Sequence, residues 1–210
     1  MSGLKEVSVI SEVFKKANFQ PANIIVHKRN LVGDYNRLAR FMKAVLQLKN
    51  DNVTILTVDT LKYLKIHERH HPEFKENATT LQQVYDDVLL LGDNTESSVL
   101  RVKSGDVYAH NTVSKFHPDG LSRILVPYNN PVPLWVANSD AELDEEIYGI
   151  CEEPSYKLKP DAVKHKMTAG NIWHFAGMRS SLTVEPLLHQ GVSAANNNEP
   201  LLVTVAEPMI

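Results

Sequence analysis

Proline placement limits this 210-residue chain more than any other feature. Only Pro21 and Pro72 lie in the first half, and the other nine prolines fall at Pro118 or later. A proline removes a backbone donor and clashes inside a helix, and a central strand tolerates it no better. Long helices are therefore expected in the first half, with short strands and ordered loops in the second.

Hydrophobic spacing predicts four helices before residue 92. Leu4, Val7, Ile10, Phe14 and Ala17 recur at helical intervals. Asp34 caps a second helix that buries Leu38, Phe41, Met42, Val45 and Leu48. A third runs from about Asp59 to His71 and stops at Pro72. In the fourth, Thr80 and Gln83 form a capping box, Leu81, Val84, Tyr85, Val88 and Leu89 form the apolar face, and Gly92 sits at the C-terminal end. Apolar runs at 23–27 and 53–58 flank the second helix, which reads as a βαβ unit with a parallel strand pair. Beyond Gly92, runs at 98–103 and 106–110 flank Ser104 and Gly105 as a hairpin, and 123–126, 133–136, 181–184 and 201–205 read as strands. Ser139 and Glu142 open a short helix that buries Leu143 and Ile147.

Composition excludes several classes. With 43% hydrophobic and 22% charged residues, the chain is neither disordered nor fibrous. No run reaches the roughly 20 apolar residues of a membrane helix. A net charge of −3 lacks the basic excess of a duplex-binding domain, so nucleic acid is not a favoured partner. Cys151 is the single cysteine, so an internal disulfide is impossible. These features, with no basic-then-apolar leader at the N-terminus, suggest a cytoplasmic protein without a membrane partner.

The sharpest motif is His67-Glu-Arg-His-His71. In the pattern H-E-x-x-H, two histidines one helical turn apart bind zinc and the glutamate acts as general base. Here His67 and His71 would be the ligands and Glu68 the base. Pro72 ends the helix at the second ligand, and Asn77 stands where the extended pattern has a third histidine. The alternative is a solvated helix end, with His70 and His71 near the negative end of the helix dipole.

Other constellations carry alternatives of their own. The loop holding Lys28, Arg29 and Gly33 leads into a helix N-terminus, which suits phosphate binding. It has one glycine and no nucleotide-binding fingerprint, and ordinary surface charge is the simpler reading. Five histidines, His110, His117, His165, His174 and His189, lie on or near expected strands. Such a set can assemble into a metal site of the cupin type, and residues 105–110 resemble one strand of that barrel. The paired histidines and glutamate of the first cupin motif are absent, and five unrelated histidines are the alternative. An acidic stretch from Asp140 to Glu153 followed by Lys157, Lys159, Lys164 and Lys166 could pair between subunits, or be a solvated surface.

Two segments carry a family resemblance. Ile124-Leu-Val-Pro-Tyr-Asn-Asn-Pro-Val-Pro-Leu134 and Pro200-Leu-Leu-Val-Thr-Val-Ala-Glu-Pro-Met209 resemble strands of the jelly-roll capsid proteins of small RNA viruses. They span about a tenth of the chain, without a basic N-terminal arm. The resemblance implies a structural subunit, such as one of a viral or phage-like assembly, that forms homo-oligomers through protein contacts and needs no cofactor. On that reading the chain would belong to a virion. Tyr128, Pro131, Pro133, Leu134 and Trp135 would supply its apolar interface, with core packing as their alternative role.

The sequence thus reads as α+β: a helical 1–92 region with a βαβ unit, then a mainly antiparallel, sandwich-like or jelly-roll-like 93–210 region, within one domain or two. Its leading function is a structural or interaction protein, leaning away from an enzyme. Its alternative is a zinc-dependent hydrolase at His67–His71.

Overall fold

The computed structural model describes residues 3–67, 72–105, 115–144, 154–179, 184–191 and 199–208. In chain order the elements are β1 (Leu4–Val7), β2 (Ile24–His27), α1 (Tyr35–Val45), β3 (Asn52–Leu56), α2 (Val58–His67), α3 (Pro72–Asn94), β4 (Ser97–Ser104), β5 (Arg123–Pro127), β6 (Leu134–Val136), β7 (Ala141–Leu143), β8 (Tyr156–Leu158), β9 (His165–Lys166), β10 (Ile172–Phe175), β11 (Leu188–Gln190) and β12 (Leu201–Glu207). The class is α+β, and the large sheet is mostly antiparallel.

Seven strands form that sheet, in the order β1-β2-β10-β5-β12-β4-β3. A second sheet has the order β11-β6-β9, and β7 pairs with β8. Side chains alternate across each strand. Leu100, Val102, Ile124, Val126, Leu202 and Ala206 pack against α1 and α3 on one face. Leu125, Trp173, Phe175, Val203 and Val205 form the opposite face, with Trp135, Met167 and Leu187 packed on it. The central strands of the large sheet are thus buried on both sides, and the candidate site lies on the second of these faces.

The first half is not the helix-rich region expected. It supplies four strands of the large sheet before residue 105 as well as α1, α2 and α3. Residues 4–17 are not a helix but β1 followed by two short 3₁₀ turns, Ile10–Phe14 and Lys16–Phe19. Their apolar spacing fits both periods; pairing with β2, Leu4 opposite Ile24, satisfies the backbone instead.

The βαβ unit is corrected too. Antiparallel pairings lead from β2 through β10, β5, β12 and β4 to β3, so β2 and β3 are neither adjacent nor parallel. Asp34 does cap α1, its side chain accepting from the Arg37 amide at 2.9 Å. Pro72, expected to stop a helix, instead opens α3, where its missing N–H costs nothing. Thr80 lies inside α3 and donates to the Asn77 carbonyl at 2.9 Å, and Gly92 is also helical. The buried stripe Phe74, Leu81, Val84, Val88 and Leu91 carries the helix through Thr80 and up to Gly92, and the helix ends two residues later at Asn94. Residues 138–143 form a 3₁₀ turn and β7 rather than the start of a helix. Residues 106–110 and 181–183, expected as strand, lie outside the described residues.

A buried ion pair ties β2, α3 and β12 together. Arg29 Nη1 donates to Asp87 Oδ1 at 2.6 Å and Nη2 to Oδ2 at 2.5 Å. Gln83 reaches Oδ1 at 3.0 Å, and the Tyr128 hydroxyl reaches Oδ2 at 2.8 Å while lying 2.9 Å from Thr204. Breaking a buried pair leaves an uncompensated charge. Asp87→Ala is expected to lower unfolding free energy by about 3–5 kcal/mol, measured by denaturant titration.

His174 adds a pH-dependent element. Its Nδ1 donates to the Val13 carbonyl at 2.7 Å, its ring meets Phe19 edge to face, and its Nε2 is buried without a partner. Burial pulls its pKa down to about 4, from an ordinary value near 6.5. The unfolded chain takes up this proton first, so stability present above pH 6.5 is lost as pH falls toward 4. The loss from this residue is about 3 kcal/mol. His174→Gln is expected to flatten that part of the stability–pH curve relative to the unsubstituted protein.

Candidate metal centre

Three buried side chains converge where the two sheets face each other. His117, Asp119 and His189 bring one ligand atom each within 4.8 Å of one another. The backbone dictates much of this. His117 N donates to the His189 carbonyl at 2.9 Å, and His189 N returns the bond at 3.0 Å. This antiparallel bridge places the two imidazoles side by side, with ring centroids 4.7 Å apart. Pro118 disfavours helical backbone at His117. In extended chain, residues two apart share a face, so Asp119 joins its neighbour.

The loop bearing Asp119 is held in place. The Met178 amide donates to the Asp119 carbonyl at 2.9 Å, and the Arg179 amide to the Gly120 carbonyl at 2.7 Å. Gly177 makes this approach possible, because a Cβ there would meet the Leu121 carbonyl carbon at 2.1 Å. Gly177→Ala is expected to displace the loop and weaken divalent-metal binding at least about tenfold, read by calorimetric titration of the purified protein.

Hydrogen bonds select which atoms remain to bind. His117 Nδ1 donates to the Lys115 carbonyl at 2.8 Å, which leaves Nε2 as the free ligand atom. Asp119 Oδ1 accepts from Arg123 Nη1 at 3.0 Å. Asp119 Oδ2 is buried with no hydrogen bond and lies 3.5 Å from His189 Nε2. Burial, above all, pulls the His189 pKa down to about 4; Asp119 opposes this shift, while His117 and Arg123 reinforce it. The imidazole is thus neutral near pH 7, the form that coordinates metals. A buried carboxylate oxygen facing two imidazoles is a donor set suited to a divalent metal ion. The residues therefore fit a metal, and the expectation of no cofactor is corrected.

A cavity of about 190 Å³ opens from this cluster between the sheets. Leu125, Val203 and Val205 give it apolar walls, and Arg101, Lys103 and Arg123 enter it from β4 and β5. Arg101 stands opposite Val203 and Lys103 opposite Leu201, so both follow the inward-facing side of β12. Arg101 Nε is buried without a hydrogen bond. Asp119 is the one carboxylate among the described lining residues.

The described residues nominated from sequence are scattered, and only some of them reach this cluster and its cavity. His67 ends α2, and Glu68 and His71 lie outside the described residues. Lys28, Arg29 and Gly33 share a separate polar cleft with the N-terminus of α1. There Lys28 pairs with Glu6 at 2.5 Å, while Arg29 is committed to Asp87. Tyr128 and Trp135 are buried, Leu134 is partly buried, and Pro131 and Pro133 line the 190 Å³ cavity. Of the five histidines, His117 and His189 come together. His165 stacks on Trp135, His174 lies under the N-terminal turns, and His110 lies outside the described residues. Sequence reasoning missed Asp119. The available signal was the alternating His117-Pro-Asp119 triplet just before a strand.

No family model matches the chain, and no curated protein does. Among solved structures, a full-length Neurospora crassa protein in complex with alpha-KG and 5-formyluracil is 10% identical, with a TM-score of 0.44 over 99% of this chain and 84% of that one. The C-terminally truncated form of that N. crassa protein, in apo form, is 11% identical, with a TM-score of 0.41 over 92% and 85%. JOX2 in complex with 2OG, Fe and JA is 10% identical, with a TM-score of 0.40 over 100% and 79%. Likeness at this level leaves the site to be read from its own side chains.

The viral-capsid resemblance and the structural, virion-assembly function drawn from it are corrected. The two segments behind the resemblance are β5 and β12 with their flanks. These strands pair with each other in the wall of a cavity that holds three metal-ligand side chains. The zinc-hydrolase alternative rests on His67–His71, of which Glu68 and His71 lie outside the described residues.

Proposed function

We propose that this protein is an iron(II)-dependent oxygenase that uses a 2-oxo acid such as 2-oxoglutarate as co-substrate. One observation carries the reading: the unpartnered, buried Asp119 Oδ2 set against the imidazoles of His117 and His189. Two histidines and one carboxylate with open positions are the ligand set of non-haem iron(II) oxygenases. Zinc accepts the same donors, but a zinc hydrolase also needs a general base near its water. The described cavity lining offers no second carboxylate for that task and instead presents Arg101 and Lys103. That charge suits an anionic co-substrate.

Bound iron(II) would supply dioxygen chemistry in which a 2-oxo acid, O₂ and a C–H bond give the shortened carboxylate, CO₂ and a C–OH group. The protein's own contribution is arrangement. His117 and His189 would supply imidazole nitrogens, Asp119 would supply one carboxylate oxygen, and the backbone bridge fixes the rings relative to each other. Arg101, with Lys103 beside it in the strand, would hold the distal carboxylate of the co-substrate. Leu125, Val203 and Val205 would keep water from the reacting face.

Anaerobic calorimetry tests this reading. Iron(II) is expected to bind at one ion per chain, and 2-oxoglutarate to bind the loaded protein far better than the metal-free one. Asp119→Ala should abolish metal uptake. Arg101→Ala should leave metal binding intact and weaken 2-oxoglutarate about tenfold, the equivalent of about 1.4 kcal/mol. A chain that binds neither iron nor 2-oxoglutarate would falsify the proposal.

A further inference from the structure

We infer that Arg123 is a positioning residue for this centre, holding Asp119 Oδ1 so that the carboxylate offers a single oxygen, Oδ2, to the ion. The inference rests on the metal-centre reading above.

The geometry is direct. Arg123 opens β5, four residues after Asp119, and its Nη1 lies 3.0 Å from Asp119 Oδ1. Its Nη2 lies 3.8 Å from Glu207 Oε1, at the end of the neighbouring β12. Held from two sides, the guanidinium has little freedom to release Oδ1. Its side chain is 23% exposed and that of Asp119 only 4%, so water competes weakly for the contact.

The consequence concerns coordination number. A carboxylate binds a metal through one oxygen or both. Through both, Asp119 would fill two positions, and the three protein ligands would take four of an octahedral ion's six. With Oδ1 tied to Arg123, they take three. Three positions then remain on the cavity side, enough for a chelating oxo acid and dioxygen together. Arg123 therefore acts on the ion only through Asp119, and differs in role from Arg101 and Lys103 further along the cavity.

Charge alone predicts a different result from positioning. A cation near a divalent ion repels it, so if Arg123 acted only as a charge, its loss would tighten binding without changing the ligand geometry. Loss of an orienting partner typically weakens binding about 10- to 100-fold and lets the ligand rotate.

The test loads the full-length protein with cobalt(II), whose visible d–d absorption reports ligand number and geometry. The unsubstituted protein, Arg123→Met and Arg123→Lys are titrated, and melting of each metal-free form is recorded. Arg123→Met is expected to bind cobalt(II) about 10- to 100-fold more weakly, with a d–d spectrum changed in shape and intensity. Arg123→Lys keeps the charge but loses the fork that fixes a carboxylate, and should change the spectrum in the same sense. It also serves if the methionine variant does not fold. A variant spectrum that superimposes on that of the unsubstituted protein overturns the inference, whatever the affinity or melting temperature; a purely structural Arg123 would give that result. Failure of the unsubstituted protein to bind cobalt(II) overturns the metal-centre reading itself, and this inference with it.

Discussion

A sheet whose central strands are covered on both faces leaves little water for the polar groups those strands carry, and the architecture is organised around that restriction. Helices cover one side of the seven strands, and a second sheet faces the other. Any ionisable side chain on either face must find a protein partner or await a ligand. Two buried carboxylates meet this condition in opposite ways. Asp87 uses both oxygens, on Arg29, Gln83 and Tyr128. Asp119 uses one oxygen on Arg123 and leaves the other bare between two imidazoles. The first arrangement is complete without anything added, as expected of a structural clamp. The second leaves one oxygen that a cation could complete.

Much of the secondary structure was legible because its signals are local. The Asp34 cap, the buried stripe of α1 and the apolar runs that became β5, β6 and β12 depend on residues a few places apart. Failures occurred where packing overruled a local cue. Thr80 carries boundary chemistry, yet the stripe from Phe74 to Leu91 continues past it against the sheet, and α3 ends only at Asn94, two residues beyond Gly92. Leu4, Val7 and Ile10 satisfy helical spacing, but the edge of β2 offers hydrogen bonds that a short exposed helix could not match. The βαβ reading failed for a topological reason. Nothing local tells β3 to join the sheet beyond β4, at the opposite end from β1.

The site was legible in pieces but not as a set. A helical search finds histidines four apart and settles on His67 and His71. The cluster of His117, Asp119 and His189 instead follows strand geometry, in which residues two apart share a face. His117 and His189 both stood among the candidate histidines, yet only the backbone bridge between distant segments makes them neighbours. Asp119 escaped notice because a lone aspartate before a glycine reads as a turn residue. Its role follows from burial, which no short motif reports.

The electrostatics of the cavity narrow its chemistry further. Arg101, Lys103 and Arg123 reach it, while Asp119 is the sole described acid there. A divalent ion would raise the positive charge again, so the empty volume favours an anion at a price in desolvation that only a charged ligand recovers. The apolar residues Leu125, Val203 and Val205 lower the local dielectric and strengthen that preference. A cavity made for water attack would need a base to take the proton, and an extra cation would oppose that transfer by stabilising the base's anionic form. The same cation assists an anionic co-substrate. The positive charge beside the triad therefore favours the proposed oxo-acid-dependent reading over a hydrolytic one built on the same three residues.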